Sequence, residues 1–303
     1  MGLRSSFRRA VVMARLELTK QIRLGDHTYR TKGFFANELA LQEVRERFEP
    51  WLDAVYQAVL KCREGTFVDV GANVGQTMLR IVALDSTRPY AGFEPQPWGC
   101  SLIQSFIEEN NLKNHTILPL GLSNRNHLVK LYMKSGGYKC AGYESMSSTI
   151  ENFRPGSFYT SSQDICVRRG DEVMAELKIP SIAAIKIDVE GGELEVIEGL
   201  PDTLREKMPF IIFEVLNHYL VLTGEKLDDR VIRFREGRIE KMESLLRGQG
   251  YQIYNILPGN ILKKVRKIQP AMSRDLSNTN YVAVSKQDEG SFLRAFPGSA
   301  RDD

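Results

Sequence analysis

Four acidic residues lie at the ends of short hydrophobic runs, where their carboxylates could bind a polar ligand. These residues are Asp69, Glu94, Asp188 and Glu214. Central strands of a parallel sheet are covered on both faces, so a dry, unpaired carboxylate inside one costs several kcal/mol. That cost falls where strands open into a cleft, which in open α/β sheets lies beyond their carboxyl ends. The four acids therefore predict a cleft for a polar ligand. The alternative is that they cap the helices that follow.

The segment D-V-G-A-N-V-G-Q-T at 69–77 joins a predicted strand to a predicted helix. Gly71 permits a tight turn, Gly75 permits a ligand to approach the backbone closely, and the N–H groups at the helix start can receive an anionic group. The spacing G-x-x-x-G differs from the G-x-G-x-x-G of dinucleotide sites, which disfavours a pyrophosphate ligand. Glu94 lies 19 residues after Gly75, at the end of the next predicted strand. An acid at that place can accept both ribose hydroxyls of a nucleoside.

The elements that position these residues alternate along the chain. An amphipathic helix near residues 52–60 precedes them. The hydrophobic runs predict strands at 67–70, 90–93, 115–120, 182–189, 210–215, 251–256 and 281–284. The intervening patterns predict helices at 76–84, 97–110, 171–177, 193–200 and 229–246. Such alternation is typical of βαβ units, with a mostly parallel sheet and helices on both faces.

Residues 135–164 break this alternation. They follow a turn at 123–127 and a strand-like run at 128–133, and they are polar, irregular and rich in aromatic and hydroxyl side chains. A long loop without regular structure in a compact domain is usually either functional or disordered. We therefore predict a lid that contacts the substrate, with a mobile insertion as the alternative.

Composition and charge narrow the functional classes. No hydrophobic run approaches the ~20 residues that span a bilayer, and we expect a cytoplasmic protein. The cysteines and histidines show no metal-binding or disulfide spacing. Residues 1–24 carry six bases and one acid, whereas the remainder carries 35 bases and 37 acids. The nearly neutral body argues against a nucleic-acid partner. We expect the basic arm to be solvated, with weak contact to an anionic membrane surface as the alternative.

Five motifs resemble the FkbM-type methyltransferases. They are F-V-D-V-G-A-N-V-G-Q-T at 67–77, G-F-E-P at 92–95, K-I-D-V-E-G-G-E-L-E-V-I-E-G at 186–199, P-F-I-I-F-E-V at 209–215 and N-Y-V-A-V at 280–284. The resemblance covers about residues 65–285. It implies a Rossmann-like class I methyltransferase fold with a seven-stranded, mostly parallel sheet, and S-adenosylmethionine as the methyl donor. It also implies O-methylation of a hydroxyl on a sugar or glycan, a polyketide or a related metabolite.

The resemblance also implies domain boundaries and the residues that contact the cofactor. We expect a methyltransferase domain at 49–285, preceded by a basic arm and lead-in at 1–48 and followed by a tail at 286–303. The expected contacts to the cofactor are Asp69, Gly71, Ala72, Asn73, Gly75, Glu94, Ser123 and Asp188.

Methyl transfer to a hydroxyl is helped by a base that removes the proton of that hydroxyl. The catalytic candidates are Asp188, Glu190 and Glu214. We favour Asp188 or Glu190, because two acids at one strand end raise the pKa of one of them. The alternative for Glu190 is a helix cap, and His218 is expected in an exposed loop. A divalent metal on Asp188, Glu214 and Asn217 would resemble the layout of cation-dependent O-methyltransferases, but it is not favoured.

Two other functions stay open from the sequence. One is an NAD-dependent oxidoreductase on a similar sheet, although the glycine spacing counts against it. The other is a non-catalytic protein that binds S-adenosylmethionine. The acceptor, the methylated position and the oligomeric state are not readable from the sequence.

Overall fold

A computed structural model describes residues 20–31, 49–133, 147–154, 158–218, 227–273 and 275–301. The strands in these ranges are β1 Lys20–Leu24, β2 His27–Thr31, β3 Thr66–Val70, β4 Tyr90–Phe93, β5 His115–Leu118, β6 Gly121–Ser123, β7 His127–Met133, β8 Ser161–Arg169, β9 Ile182–Ile187, β10 Phe210–Glu214, β11 Tyr251–Leu257, β12 Ile261–Lys264, β13 Asn280–Ser285 and β14 Ser299–Arg301. The helices are α1 Asp53–Cys62, α2 Gln76–Leu84, α3 Pro97–Glu109, α4 Gly170–Glu176, α5 Glu193–Glu198, α6 Pro201–Glu206, α7 Asp229–Gly248 and α8 Glu289–Ala295. None of the helices in the described ranges is long and apolar enough to cross a membrane.

The large sheet has nine strands in the order β14-β12-β11-β13-β10-β9-β3-β4-β5. Strands β5, β4, β3, β9 and β10 are mutually parallel, whereas β13 runs antiparallel to both β10 and β11. The chain moves outward from β3 to β5 and then resumes at β9 on the other side of β3, so the topological switch point lies between β3 and β9. This arrangement confirms the expected α/β fold and its seven predicted strands.

Two strands extend the sheet beyond those seven. A turn through Pro258, Gly259 and Asn260 brings β12 back against β11, and β14 then pairs with β12. Gly259 and Asn260 both have positive φ values, 77° and 55°, which these residue types adopt readily. No hydrophobic run in the sequence predicts this hairpin, because β12 is short and contains two lysines.

Helices cover both faces of the large sheet, as the sequence predicts. Along β3, Phe67 belongs to the core beneath α1, α2, α3 and α8, whereas Val68 and Val70 belong to the core beneath α4, α5, α6 and α7. All five residues of β3 are buried. Burial on both faces explains why the central strands are almost uniformly apolar, and why a charged residue in one of them needs a specific partner.

A second sheet of three strands, in the order β6-β8-β7, follows β5. Strand β7 is antiparallel to β8 over its whole length, from the His127–Val167 pair to the Met133–Ser161 pair. The prediction of irregular structure for 135–164 is therefore wrong for residues 161–164, which belong to β8. Residues 162–167 read S-Q-D-I-C-V, three polar residues and then three apolar ones, so no alternation of polar and apolar residues marks this strand.

The two predicted flanking segments also contain packed structure. The arm at 1–48 includes the hairpin of β1 and β2, where Ile22, Leu24 and Tyr29 are buried in the main core, so the expectation of a solvated arm is wrong for residues 20–24. The tail at 286–303 includes α8, which packs on the sheet through Phe292, and the edge strand β14. Residues 1–19 lie outside the described part of the chain.

Candidate functional site

A cavity of about 920 Å³ opens at the carboxyl ends of β3, β4, β9 and β10. This is where open α/β sheets bind ligands, and the volume is that of a small-molecule site. The predicted site residues among its lining are Gly71, Ala72, Asn73, Glu94, Ser123, Asp188, Glu190 and Glu214.

The glycine loop turns sharply at the end of β3. Gly71 has a φ of 87°, and a Cβ built on it would lie 1.9 Å from the carbonyl oxygen of Asp188. No other residue type fits there, because real Cβ atoms do not approach backbone atoms so closely. Gly75, with a φ of 93°, caps α2, whose first residues Gln76 and Thr77 line the cavity. The first N–H groups of a helix have no acceptor inside the helix, so this end of α2 can bind an anionic group.

Glu94 ties the glycine loop to the start of α3. Its Oε2 accepts a hydrogen bond from the backbone N–H of Asn73 at 2.8 Å, and its Oε1 accepts one from the N–H of Gln96 at 2.7 Å. The side chain is buried yet lines the cavity. A carboxylate has four acceptor positions, so a carboxylate held in this way can also accept hydroxyl groups of a ligand.

Asp69 and Gly75 are the predicted contacts that do not line this cavity. Asp69 is fully buried inside β3, and its Oδ2 accepts a hydrogen bond from the hydroxyl of Tyr90 at 2.6 Å. Burial raises the pKa of Asp69 to about 6, although Lys186 and the Tyr90 hydrogen bond act in the opposite direction. The carboxyl group of Asp69 therefore lies beneath the glycine loop rather than in the cavity.

Three carboxylates meet at the other end of the cavity. One oxygen from each of Asp188, Glu190 and Glu214 lies within 4.8 Å of the other two. Each carboxylate also has one partner of its own. Asp188 binds the ammonium group of Lys186 at 2.6 Å, Glu190 binds the guanidinium group of Arg154 at 2.5 Å, and Glu214 accepts from the hydroxyl of Thr279 at 2.9 Å.

Because their partners differ in charge, the carboxylates of Glu190 and Glu214 experience different effects on their pKa. Burial raises the pKa of Glu214 well above its usual range, and the negative charges of Asp188 and Glu190 raise it further. Burial also raises the pKa of Glu190, but Arg154 opposes this effect. Among the three acids, Glu214 is therefore the one whose described partners include no cation.

The three acids offer hard oxygen atoms of the kind that Mg²⁺ prefers. Asn217, however, does not join them. Its Nδ2 donates to the carbonyl of Asp275 at 2.6 Å, and its Oδ1 accepts from the N–H of Ala271 at 3.0 Å, so it organises the loop before β13. One oxygen of Glu190 is also already bound to Arg154. The arrangement thus supplies fewer open ligand atoms than the metal interpretation of the sequence requires.

His218 is not in the exposed loop that the sequence predicts. It is buried, and its Nε2 lies 3.7 Å from Glu236, away from the cavity lining. Burial lowers the pKa of its imidazole. Nothing in this placement gives His218 a part in the site.

Part of the predicted lid contacts the cavity. Ser147, Thr149 and Ile150 line it, whereas residues 134–146 and 155–157 lie outside the described part of the chain. Behind these lining residues, Arg235 of α7 donates to the carbonyl of Phe153 from Nε at 2.9 Å and from Nη2 at 2.6 Å. The Arg235 guanidinium also stacks 4.0 Å from the centre of the Phe153 ring.

Lys186, Arg154 and Glu49 are site residues that the sequence analysis did not find. Lys186 is the one charged residue of the otherwise apolar strand I-A-A-I-K-I. A charged residue in a buried strand needs a partner, so the sequence alone could have indicated that Lys186 pairs with an acid of the site. Burial alone would lower the pKa of Lys186, but Asp188 and other nearby acids outweigh burial and raise that pKa well above its usual range. Glu49 reaches the cavity lining, and Arg154 reaches Glu190, from distant parts of the chain, and no local pattern marks either residue.

Comparison with known proteins identifies the family of this chain. Residues 69–253 match the methyltransferase FkbM domain family. AMB antimetabolite synthetase AmbE of Pseudomonas aeruginosa is 23% identical over 237 residues, which are 68% of this chain and 10% of the synthetase. Hexuronic acid methyltransferase AglP of Haloferax volcanii is 25% identical over 148 residues, which are 48% of this chain and 54% of that protein. The chain thus spans only a small part of the first relative and about half of the second.

A solved structure of Methyltransferase FkbM from Methylobacillus flagellatus superposes with a TM-score of 0.40 at 14% identity, covering 83% of this chain and 62% of that chain. The family match spans more than half of the sequence, from the acid at the end of β3 to β11. The chain therefore belongs to the FkbM family of methyltransferases.

Proposed function

We propose that the protein binds S-adenosylmethionine in this cavity and transfers its methyl group to a hydroxyl oxygen. The observation that carries the proposal is the set of groups that line one cavity. The open end of α2 follows β3, Glu94 lies at the end of β4 on one side of it, and three carboxylates lie at the ends of β9 and β10 on the other side. These groups suit the carboxylate, ribose and sulfonium parts of S-adenosylmethionine.

The residues that would hold the cofactor fit its chemistry. The N–H groups in the first turn of α2 suit the methionyl carboxylate, and Glu94 suits the two ribose hydroxyls. Gly71 provides the close packing of the loop on β9 that leaves room for such a ligand. When bound, S-adenosylmethionine supplies a methyl group that is already electrophilic. The protein has mainly to align the acceptor and to take its proton.

Glu214 is the best candidate for the base. Asp188 and Glu190, which the sequence favours, each bind a cation within 2.6 Å, so at least one oxygen of each carboxylate is already engaged. Among the described residues, the Thr279 hydroxyl is the hydrogen-bond partner of Glu214, and burial among other acids raises the pKa of Glu214. We therefore assign proton removal to Glu214. Asp188 and Glu190 then shape the acceptor end of the cavity.

The acceptor is a hydroxyl compound of the sugar, polyketide or related metabolite class. The name of the Haloferax relative, which is a hexuronic acid methyltransferase, supports a sugar hydroxyl. Residues 147–154, which belong to the lid that the sequence predicts at 135–164, would cover this acceptor. The contacts of Ser147, Thr149 and Ile150 with the cavity support that role, as does the anchoring of Phe153 by Arg235.

Calorimetric titration with S-adenosylmethionine, S-adenosylhomocysteine and NAD tests the proposal. We expect the first two to bind and NAD not to bind. Glu94→Gln should weaken binding by ~10-fold or more, because it removes a charged acceptor. Gly71→Val is a poor variant for this test, since its Cβ would collide with the backbone of Asp188 and the fold would suffer.

The matched control is Glu240→Gln, an exposed acid on α7 that pairs with Lys267 far from the lining. It should bind like the unmodified chain. Binding of NAD without binding of S-adenosylmethionine would refute the proposal and favour an oxidoreductase.

A further inference from the structure

Glu214 lies at the acceptor end without a cation among its described partners. It is the last residue of β10, and its Oε1 accepts a hydrogen bond from the hydroxyl of Thr279 at 2.9 Å. Oxygen atoms of Asp188 and Glu190 lie within 4.8 Å of an oxygen of Glu214. A negative charge on Glu214 would therefore lie beside two other acids, and such a charge is costly without a counter-ion.

Glu49 brings a fourth carboxylate to this group. Its Oε1 accepts a hydrogen bond from the side-chain amide of Asn280 at 2.6 Å, and Asn280 is the residue of β13 that pairs with Glu214 across the sheet. Thr279, which precedes Asn280, holds Glu214, so adjacent residues of the chain hold the two carboxylates. The negative charge of Glu49 is accordingly one of those that raise the pKa of Glu214.

Two cations lie among these four acids, and each is bound to an acid other than Glu214. Lys186 binds Asp188 at 2.6 Å, and Arg154 binds Glu190 at 2.5 Å. The group therefore keeps a surplus of negative charge when all four acids are ionised.

The other cations of the cavity lining are Arg80 and Arg125. Arg80 pairs with Asp53 at 3.5 Å, and it meets Glu49 at the backbone carbonyl rather than at the carboxylate. Arg125 has no partner for its side chain among the described residues, but it lies in the turn between β6 and β7 of the second sheet, whereas β10 is paired with β9 and β13. A ligand can therefore supply the counter-ion that Glu214 lacks.

The two forms of the cofactor differ in this charge. S-adenosylmethionine carries a positive sulfonium, whereas S-adenosylhomocysteine, which remains after transfer, carries a neutral thioether. Transfer requires the methyl group to lie between the sulfur atom and the acceptor oxygen, and the base must reach that same oxygen. A base in this cavity therefore lies close to the sulfonium of a bound donor.

We propose that Glu214 is protonated in the free protein and ionises when S-adenosylmethionine binds, because the sulfonium is the counter-ion that its carboxylate lacks. The inference rests on the proposed function, which puts the methyl donor and the base in one cavity. During transfer the hydroxyl proton of the acceptor moves to Glu214, while the carbon–oxygen bond forms and the carbon–sulfur bond breaks. The negative charge of Glu214 and the positive charge of the sulfonium disappear together, so neither is left without a partner.

Calorimetry tests this without knowledge of the acceptor, because it counts the protons that binding releases. The full chain is titrated with S-adenosylmethionine and with S-adenosylhomocysteine at about pH 6.5, in phosphate and in imidazole buffer, whose ionisation enthalpies differ. The α-amino group of either ligand stays protonated at this pH. We expect S-adenosylmethionine to release at least ~0.5 proton more than S-adenosylhomocysteine, and its relative affinity to rise by a matching ~3-fold per pH unit.

Glu214→Gln identifies the source of the proton. It should release equal numbers of protons with the two ligands, because an amide cannot ionise, whereas the control Glu240→Gln should behave like the unmodified chain. Affinity for S-adenosylhomocysteine and the unfolding temperature should stay near those of the unmodified chain in both variants, which separates loss of the proton from misfolding.

Two results would overturn the inference: equal proton release by the two ligands in the unmodified chain, or an excess release by S-adenosylmethionine that persists in Glu214→Gln and so comes from another acid. Failure of the proposed function is distinguishable from these, because neither ligand would then bind.

Discussion

Glu193 allows a test of how burial of a carboxylate affects the free energy of unfolding. It lies next to the loop that carries the candidate acids Asp188 and Glu190. It is the first residue of α5 and is buried, and its Oε1 accepts hydrogen bonds from the N–H groups of Val189 and Gly191, both at 3.1 Å. Burial raises the pKa of Glu193 to about 7, although those backbone hydrogen bonds oppose the shift. The ionised side chain is therefore costly to the folded state.

The size of that cost follows from the shift. A rise in pKa from 4.5 to about 7 corresponds to at most ~3 kcal/mol of folding free energy. Because the pKa is raised in the folded state, stability is fully present below pH 4.5 and is lost as the pH rises through about 7. Glu193→Gln keeps an oxygen for both N–H groups but cannot ionise. It should be close to the unmodified chain in stability at pH 5, and more stable by up to ~3 kcal/mol at pH 8.

Urea unfolding of both proteins at pH 5 and pH 8 measures this difference. The comparison at each pH removes the contribution of other groups, such as Asp69, whose pKa is also raised. Glu240→Gln, at an exposed site, should show no pH-dependent difference. If Glu193→Gln is destabilised by the same amount at both pH values, the carboxylate is not paying a burial cost and the reasoning fails.

Three further predictions concern the acceptor end. Glu214→Gln should reduce turnover by ~10²-fold or more with near-native cofactor affinity, and EDTA should have no effect, whereas loss on EDTA with rescue by Mg²⁺ would favour the metal interpretation. Arg154→Glu should increase hydrogen exchange at residues 147–154, and the double variant Arg154→Glu/Glu190→Arg should restore protection if the ion pair anchors this segment. Replacing residues 135–146 with a short Gly-Ser linker should preserve cofactor binding and abolish transfer, and unchanged transfer would show that they are no lid.

The fold and the cofactor end of the site could be read from the sequence because their signals are local. The turn at Gly71, the start of α2 at Gln76 and the acid at the end of β4 each follow from a few neighbouring residues. The strand ends then bring Glu94, Asp188 and Glu214 to one edge, since parallel strands share a direction.

The acceptor end could not be read in the same way because its contacts join distant segments. Glu49 and Asn280 are 231 residues apart, and Arg154 meets Glu190 across the boundary of the predicted lid. Asp69 shows a second limit. Its position in a strand was correct, but the direction of its side chain depends on packing against Tyr90. Spacing alone cannot show whether a carboxylate faces the cavity or the core.

A crystal structure of the protein with S-adenosylhomocysteine would test the proposed function most directly. We expect one ligand in the cavity, with its carboxylate at the first turn of α2, its ribose hydroxyls within hydrogen-bond distance of Glu94, and its sulfur atom facing Asp188 and Glu214. A ligand bound elsewhere, or one whose ribose makes no contact with Glu94, would contradict it.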